Sequence, residues 1–386
     1  MINLAHRIQN EMKTGFVLKK ALELIESVGL DCAVATSHDN VYYTTDSEIM
    51  TITMLKRLAA AFLPVNGEPT FGVHANELVT AEKTTWFKDL RVYTGGEWEP
   101  LKAIDFVASV LKEKGLDKGR IGMEFIDIPV LCMDHLRKAL PKAEIVDCQP
   151  IFDELRAVKS KEELKLMSEA NMATAKAITV AYEMAQPGDT ERAIARDMMD
   201  LTIEYGADQV AFMTFGAGPN IFETHHIPKD YKIKKGDLLH VDFGAYFDGY
   251  YSDISRMAVV GEPNEDQLKA YEVSVGVEWA TAEALQAGAS VMDVHNAVKE
   301  FYESKGYPYG RAFIGHSMGI GCHEYPFLGP SHGDWELKPG MFFQVEPGLT
   351  IGEARIHTED SFVVQDSGPA KNVSEYRDIW ELQVIR

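Results

Sequence analysis

Cysteine is scarce in this 386-residue chain: Cys32, Cys132, Cys148 and Cys322 stand far apart and form no C-x-x-C. A disulfide framework and a zinc ribbon are thereby excluded, and reduced thiols in a cytoplasm are expected. No run of about 18 apolar residues occurs, so no membrane-spanning helix is expected. Met1 to Lys13 alternates polar and apolar residues and lacks the apolar stretch of a signal peptide, so export is not expected. Basic charge is short as well, with 38 Lys+Arg against 59 Asp+Glu and a net charge of −21. No Lys/Arg-rich block makes a basic stripe, so the chain repels a phosphate backbone and nucleic acid is not an expected partner.

What is present suits a globular protein. Hydrophobic residues at 46% and charged residues at 25% let each domain bury a core. At roughly 100–200 residues per domain the length predicts two domains, with three as the other option. Helical periodicity over Phe16 to Val28 and Leu101 to Lys114, with apolar strands at Cys32–Ala35 and Arg120–Met123, predicts an N-terminal α/β domain. Ser160-Lys161-Glu162-Glu163 is a capping box, and apolar residues from Leu166 to Met184 then recur in steps of four and three. The boundary is placed before this long helix, giving domains 1–155 and 156–386.

The second domain carries a weak internal repeat. Gly236 to Gly244 and Gly340 to Gly348 share the pattern Gly, four residues, Val, carboxylate, any residue, Gly at an offset of 104. Upstream, Ala211-Phe212-Met213 and Ala312-Phe313-Ile314 match at an offset of 101. Two strands ending in inward acids predict a pseudo-twofold domain with the acids near its axis, since such acids are costly unless something pairs them.

Leu238 to Phe243 reads as a strand, Asp248-Gly249 as a turn and Tyr250 to Val260 as the return strand. A turn at 247–248 sets Asp253 opposite Asp242, and a turn at 248–249 sets them diagonally. Either way both carboxylates share one face, where like charges destabilise a sheet unless a cation lies between them. Glu346 and, thirteen residues on, Glu359 suit a second hairpin. Four carboxylates with the imidazole of His316, in Gly315-His316-Ser317-Met318-Gly319, would supply oxygen ligands and one nitrogen for two divalent ions. Tyr246, Phe247, Tyr250 and Tyr251 are expected to pack the hairpin. His240 is read first as a packed strand residue and second as a donor toward the acids, and His226 as a polar loop residue. Nothing marks Cys322 as a nucleophile.

In order along the chain, Gly218-Pro219-Asn220 with His225, Val241-Asp242-Phe243-Gly244, Ser252-Asp253-Ile254-Ser255-Arg256, Gly315-His316, His323-Glu324, Glu346-Pro347-Gly348 and Glu359-Asp360 resemble the creatinase/aminopeptidase family. That family has the pita-bread fold and includes methionine aminopeptidases, Xaa-Pro aminopeptidases and Xaa-Pro dipeptidases (prolidases). The resemblance implies an α/β (α+β) protein with a creatinase-like N-terminal domain and a C-terminal pita-bread domain. It implies five metal ligands, Asp242, Asp253, His316, Glu346 and Glu359, with Asp253 and Glu359 bridging. The ions would be Mn²⁺ first, with Co²⁺, Zn²⁺ or Fe²⁺ as alternatives. His225 and His323 fall on the histidines that handle the scissile amide, and Glu346 on the proton shuttle. A homodimer acting on a short peptide, Xaa-Pro first, is implied as well. One departure stands out: proline-specific members carry Arg-Ile-Glu-Asp, whereas His357 precedes Glu359 by two here, with Arg355 two residues earlier. It keeps open a metal-dependent hydrolase of a non-peptide amide or other small metabolite. A metal-free creatinase-like enzyme and a non-catalytic binding module rank lower, because all five ligand types are present. Gly315 to Gly319 also satisfies G-x-S-x-G with His357 downstream, but Gly319, Gly321 and Pro326 are poor material for the helix that motif needs. His323-Glu324 begins H-E-x-x-H, and Phe327 ends that reading.

Overall fold

The computed structural model describes residues 17–96 and 98–386. The expectation for Met1 to Lys13, and Phe16 at the first helix, lie outside them. The chain divides into two compact units, Met1–Arg156 and Ala157–Arg386. Among the described residues no helix is long and apolar enough to cross a membrane.

The first unit is built on six strands: β1 (Cys32–Ala35), β2 (Ala60–Pro64), β3 (Thr70–His74), β4 (Asp89–Tyr93), β5 (Arg120–Met123) and β6 (Glu144–Asp147). They lie in the order β4-β3-β2-β1-β5-β6, with β1 parallel to β5 and antiparallel to β2. Helices α1 (17–27), α2 (His38–Thr45), α3 (Thr51–Leu55), α4 (Leu78–Thr84), α5 (Pro100–Glu113), α6 (Val130–Ala139) and α7 (Gln149–Ala157) connect and follow them. Pro100 stands at the start of α5, where its missing N–H costs nothing. β1 and β5 have the limits expected from sequence, and β1 is buried throughout because β2 and β5 flank it on either side.

The second unit opens with α8 (Lys161–Met184), whose capping box is reciprocal: Glu163 N donates to Ser160 Oγ at 3.2 Å and Ser160 N to Glu163 Oε2 at 2.7 Å. There follow α9 (Glu191–Glu204), β7 (Gln209–Ala217), β8 (Leu238–Phe247), β9 (Tyr250–Tyr251) and β10 (Ile254–Val260). Next come α10 (Glu265–Ala284), α11 (Val291–Ser304), β11 (Gly315–Ser317), β12 (Glu324–Phe327) and β13 (Phe342–Val345). The chain closes with β14 (Gly348–Ile351), β15 (Ala354–His357), β16 (Asp360–Val363), β17 (Lys371–Asn372) and β18 (Gln383–Ile385). One sheet has the order β18-β10-β8-β7 with β9 on β8, a second the order β12-β11-β13-β16-β17, and β14 pairs with β15.

This unit is a duplication, and it runs further than the short repeat suggested. Gln186-Pro187-Gly188-Asp189-Thr190 and Gln286-Ala287-Gly288-Ala289-Ser290 lead into α9 and α11. Gly188 and Gly288 both take positive φ, and their amides donate to Ile233 O and Leu337 O at 2.8 and 2.9 Å. Gly236 and Gly340 likewise donate to Val260 O and Val364 O at 2.8 and 3.0 Å. Strand alternation sends Val241 and Phe243 into a core with Ile178, Tyr182 and Met198, and Phe343 and Val345 into one with Val294, Val298 and Tyr302. Burying each of these side chains contributes roughly 1.5–3 kcal/mol. The opposite faces, with Asp242 on one and Gln344 on the other, are left to form the site.

One sequence expectation needs correction. The ladders set Gly216 opposite His240 and His316 opposite Gln344, so β7 and β11 correspond at an offset of 100, not 101; β7 carries a bulge between Val210 and Phe212. Asp253 and Glu359 are not counterparts in the repeat. In the first hairpin Asp242 pairs with Ser255, and in the second Gly348 pairs with His357 and Val345 with Asp360. The counterparts 104 residues on from Asp242, Asp253 and Ser255 are therefore Glu346, His357 and Glu359.

Candidate metal centre

The hairpin turn decides how the first two acids meet. Asp248 and Gly249 both have positive φ, 49° and 79°, as a two-residue type I′ turn requires. Of the two registers the sequence allowed, this is the diagonal one. Gly244 between them must be glycine: a Cβ there would stand 2.3 Å from the Phe212 ring and 2.5 Å from Ser252 O. Tyr246 and Tyr251 pack against each other across the hairpin, ring centres 4.3 Å apart and tilted by 52°, which is the packing role expected. At Ser252-Asp253 the return strand breaks. Asn171 of α8 accepts the Asp253 amide at 2.9 Å, and the Gln344 amide donates to Asp253 O.

Asp253, His316 and Glu359 are buried, and their donor atoms lie within 4.8 Å of one another. His316 Nδ1 faces Ser317 O at 3.0 Å, so that nitrogen carries the proton and Nε2 keeps its lone pair. Nε2 is 3.9 Å from Asp253 Oδ2 and 3.8 Å from Glu359 Oε1. Burial, then His323, lowers the His316 pKa to about 4, so the ring is neutral. Burial pushes Asp242 up, and burial with neighbouring carboxylates pushes Asp253 and Glu359 well above the usual range. Asp242 Oδ1, Asp253 Oδ1 and Glu359 Oε1 are buried without a hydrogen-bond partner. Buried acids so placed cost several kcal/mol unless cations meet them. Oxygen donors around one neutral imidazole fit hard divalent ions.

Glu346, just past β13, differs. Its Oε2 lies 3.3 Å from Arg311 Nη2 and 3.4 Å from His357 Nε2. Burial alone would raise it, but the His357 hydrogen bond and nearby positive charge, Arg311 included, hold it down at about 2. His357 Nδ1 in turn meets His240 Nε2 at 3.1 Å and Ser255 Oγ at 3.2 Å. His240 is thus both the buried strand residue expected and a partner of the site.

A cavity of about 240 Å³ is walled by Asp242, Asp253, His316, Glu346, Glu359 and Cys322, with His225 and His323 at it as well. All seven sequence-assigned residues are therefore brought to one space. An adjoining cavity of about 440 Å³ adds His240, Arg311, Arg355 and His357. A larger cleft of about 900 Å³ near Gly218 and Asn264 holds no histidine, and no chemistry is assigned to it. The exposed His323 stacks on His316 with ring centres 3.9 Å apart.

Several supporting residues escaped the sequence reading. Glu191, fully buried, accepts from Ala217 N (2.8 Å), Asn220 Nδ2 (2.8 Å), Lys229 N (3.0 Å) and His226 Nε2 (3.0 Å). It anchors the segment that carries His225, and His226, a loop residue as expected, is a buried strut within that loop. Lys159 Nζ lies buried between Ser317 Oγ (2.8 Å) and Glu324 Oε2 (3.1 Å) behind His316. Ser317 is buried on a strand facing that lysine, which removes the serine-hydrolase reading. Asn171, Gln344 and Glu191 sit on helices or strands far away in sequence. The inward period-two position of Gln344, matching His240, was the one available signal.

Comparison with known proteins identifies both domains. Residues 18–158 match the Creatinase/Prolidase N-terminal domain. An Xaa-Pro dipeptidase of Pyrococcus horikoshii is 26% identical over 368 residues, covering 94% of this chain and 98% of that one. An Xaa-Pro dipeptidase of Lactobacillus helveticus is 29% identical over 322 residues, covering 81% and 85%. The crystal structure of dipeptidase PepE from Mycobacterium ulcerans superposes with a TM-score of 0.83 at 26% identity, over 97% of this chain and 98% of that one. The fold is thus a creatinase-like N-terminal domain followed in the chain by a pita-bread domain. Residues 165–366, more than half the chain, match metallopeptidase family M24, whose chemistry implies divalent metal ions. The chain belongs to metallopeptidase family M24 and is a hydrolase of that family.

Proposed function

We propose that Asp242, Asp253, His316, Glu346 and Glu359 hold two divalent ions, Mn²⁺ in the native protein, and that the protein hydrolyses the amide bond of short Xaa-Pro peptides in the cytoplasm. The observation that carries this is the set of buried, unpartnered oxygens of Asp242, Asp253 and Glu359 around the neutral His316. Relatives named Xaa-Pro dipeptidase support the substrate class, and four carboxylates to one imidazole favour a hard ion such as Mn²⁺. When bound, the ions supply a Lewis acid for the scissile carbonyl and lower the pKa of a water.

The chain's own groups do the rest. Glu346 takes the proton of the attacking water and passes it to the leaving nitrogen, with its carboxylate aimed by Arg311 and His357. His323 and His225, in the cavity wall, donate to the scissile amide and to the oxygen that gains charge. The resemblance also supports a homodimer, which sedimentation equilibrium would test.

The function is tested by reconstituting chelated protein with Mn²⁺, Co²⁺ or Zn²⁺ and assaying Xaa-Pro dipeptides, longer Xaa-Pro peptides and non-peptide amides together. Binding of two ions per chain with Xaa-Pro turnover is expected. Absence of that stoichiometry rejects the centre, and turnover of non-peptide amides alone moves the function to a small metabolite.

A further inference from the structure

Cys322 has no role in the reaction just described, yet it faces the metal cavity. Its Sγ lies 3.3 Å from Asp253 Oδ2, and donor atoms of Asp253, Cys322 and His323 all fall within 4.8 Å of one another. On a single zinc-like ion, oxygen at about 2.1 Å and sulfur at about 2.3 Å stand roughly 3.1–3.6 Å apart for angles of about 90–109°. The observed separation falls inside that window. The backbone holds the trio in place: residues 319–323 form successive bends. Gly319 N donates to Gly321 O at 3.0 Å, Tyr251 N to Gly319 O at 2.9 Å and Gly321 N to Glu324 Oε1 at 3.0 Å. Neighbours 322 and 323 thus bring their donors together.

A second observation points to a cation here. Asp253 is 3% exposed, and its Oδ2, which faces Cys322 Sγ at 3.3 Å, is a buried carboxylate oxygen with about two lone-pair positions to offer. The same Oδ2 lies 3.9 Å from His316 Nε2, so an ion beside Cys322 draws on an oxygen that also faces the centre. The donors also differ in kind. One sulfur, one nitrogen and one oxygen select softer ions than the oxygen-rich centre beside them.

We propose that Asp253, Cys322 and His323 form an adjoining, inhibitory site for soft or borderline divalent ions, Zn²⁺ and Cd²⁺ above Mn²⁺. Sulfur binds as thiolate, its proton leaving to the buffer. The inhibitory half rests on the proposed function, because an ion there engages the His323 imidazole and draws on Asp253, both of which the reaction needs.

The test titrates the Mn²⁺-loaded full chain with Cd²⁺ and follows thiolate-to-cadmium charge-transfer absorption alongside Xaa-Pro hydrolysis. One equivalent is expected to saturate the absorption while activity falls in step. Cys322→Ser should lose the absorption and, measured against its own Mn²⁺-loaded rate, need at least tenfold more Cd²⁺ for the same fractional inhibition. His323→Ala, which keeps the thiol, should weaken Cd²⁺ binding at least tenfold. The other three cysteines are buried, so absorption that persists in Cys322→Ser belongs to them and overturns the site, as does its absence from the parent. Absorption without loss of hydrolysis overturns the inhibitory half. If no peptide is hydrolysed at all, the proposed function fails while the absorption titration still decides the site.

Discussion

Replacing Asp253 by Asn should shift the stability of the metal-free and metal-loaded protein in opposite directions. Without ions, the donor oxygens of Asp253 and Glu359 lie within 4.8 Å of each other in a buried space. Two ionised carboxylates at that separation, with an effective dielectric of about 20, repel by about 3.5 kcal/mol. Burial pushes both groups upward in pKa, so the folded chain escapes part of this by holding a proton. The share an amide relieves is about 2 kcal/mol, or about 4–8 °C in Tm for a unit of this size. Saturating metal adds about 4 kcal/mol to the parent at 1,000 times its Kd, roughly 8–16 °C. The variant, short of one ligand, should gain no more than about a quarter of that. Differential scanning calorimetry at pH 7.5, once after chelation and once in Mn²⁺, should therefore show the two proteins exchanging rank. A metal-free variant less stable than the metal-free parent, or equal stabilisation of both by Mn²⁺, would refute the claim that these acids are placed for cations.

Three further outcomes follow from the surroundings of the site. His357→Ala leaves Glu346 aimed by Arg311 alone, and kcat or metal affinity should fall roughly 10–100-fold as for other partners of ligand side chains, measured by steady-state kinetics and calorimetric metal titration. Glu191→Gln swaps one acceptor oxygen for a donor against four converging N–H groups; a loss of about 3 kcal/mol in urea unfolding, with lower kcat/KM through displacement of His225, is expected. In the first unit, the side-chain bond to Asp39 and then that to Glu48 raise the His38 pKa to about 9. Stability from this raised pKa is fully present below about pH 6.5 and is lost as pH rises through about 9. With Glu48 half in solvent the loss should be about 1–2 kcal/mol, and urea unfolding of His38→Gln should be flat across the same range.

Much of the centre was legible because local rules governed it. The Asp248-Gly249 turn and period-two alternation placed Asp242 and Asp253 on one face whichever register held, and the capping box at Ser160 located the start of α8. Matching the two hairpins was harder. Spacings of eleven and thirteen residues between acids looked like the same device twice, yet the ladders pair Ser255, not Asp253, with the first acid. Side-chain spacing along a strand cannot reveal which residue lies opposite when the turn is not yet fixed. Glu191, Lys159 and Asn171 were hidden for a different reason. Each is a polar residue near or within a helix whose burial depends on a strand or loop tens of residues away, and nothing local distinguishes it from a solvated one.

The duplicated frame has a consequence for how a substrate meets this protein. At the meeting of its two halves the chain sets like against like: Ser255 and Glu359, counterparts in the repeat, are bridged through the Glu359 amide to Ser255 O at 3.1 Å. Away from that point the halves have parted company. Where one offers Asp253 the other offers His357, and the counterpart of His316 is Gly216, whose Cβ would strike Asn220 O at 2.9 Å. Scaffold symmetry and side-chain asymmetry together give the cleft a sense of direction. A peptide has two ends, and a surface that reads differently from left and from right can accept it one way round.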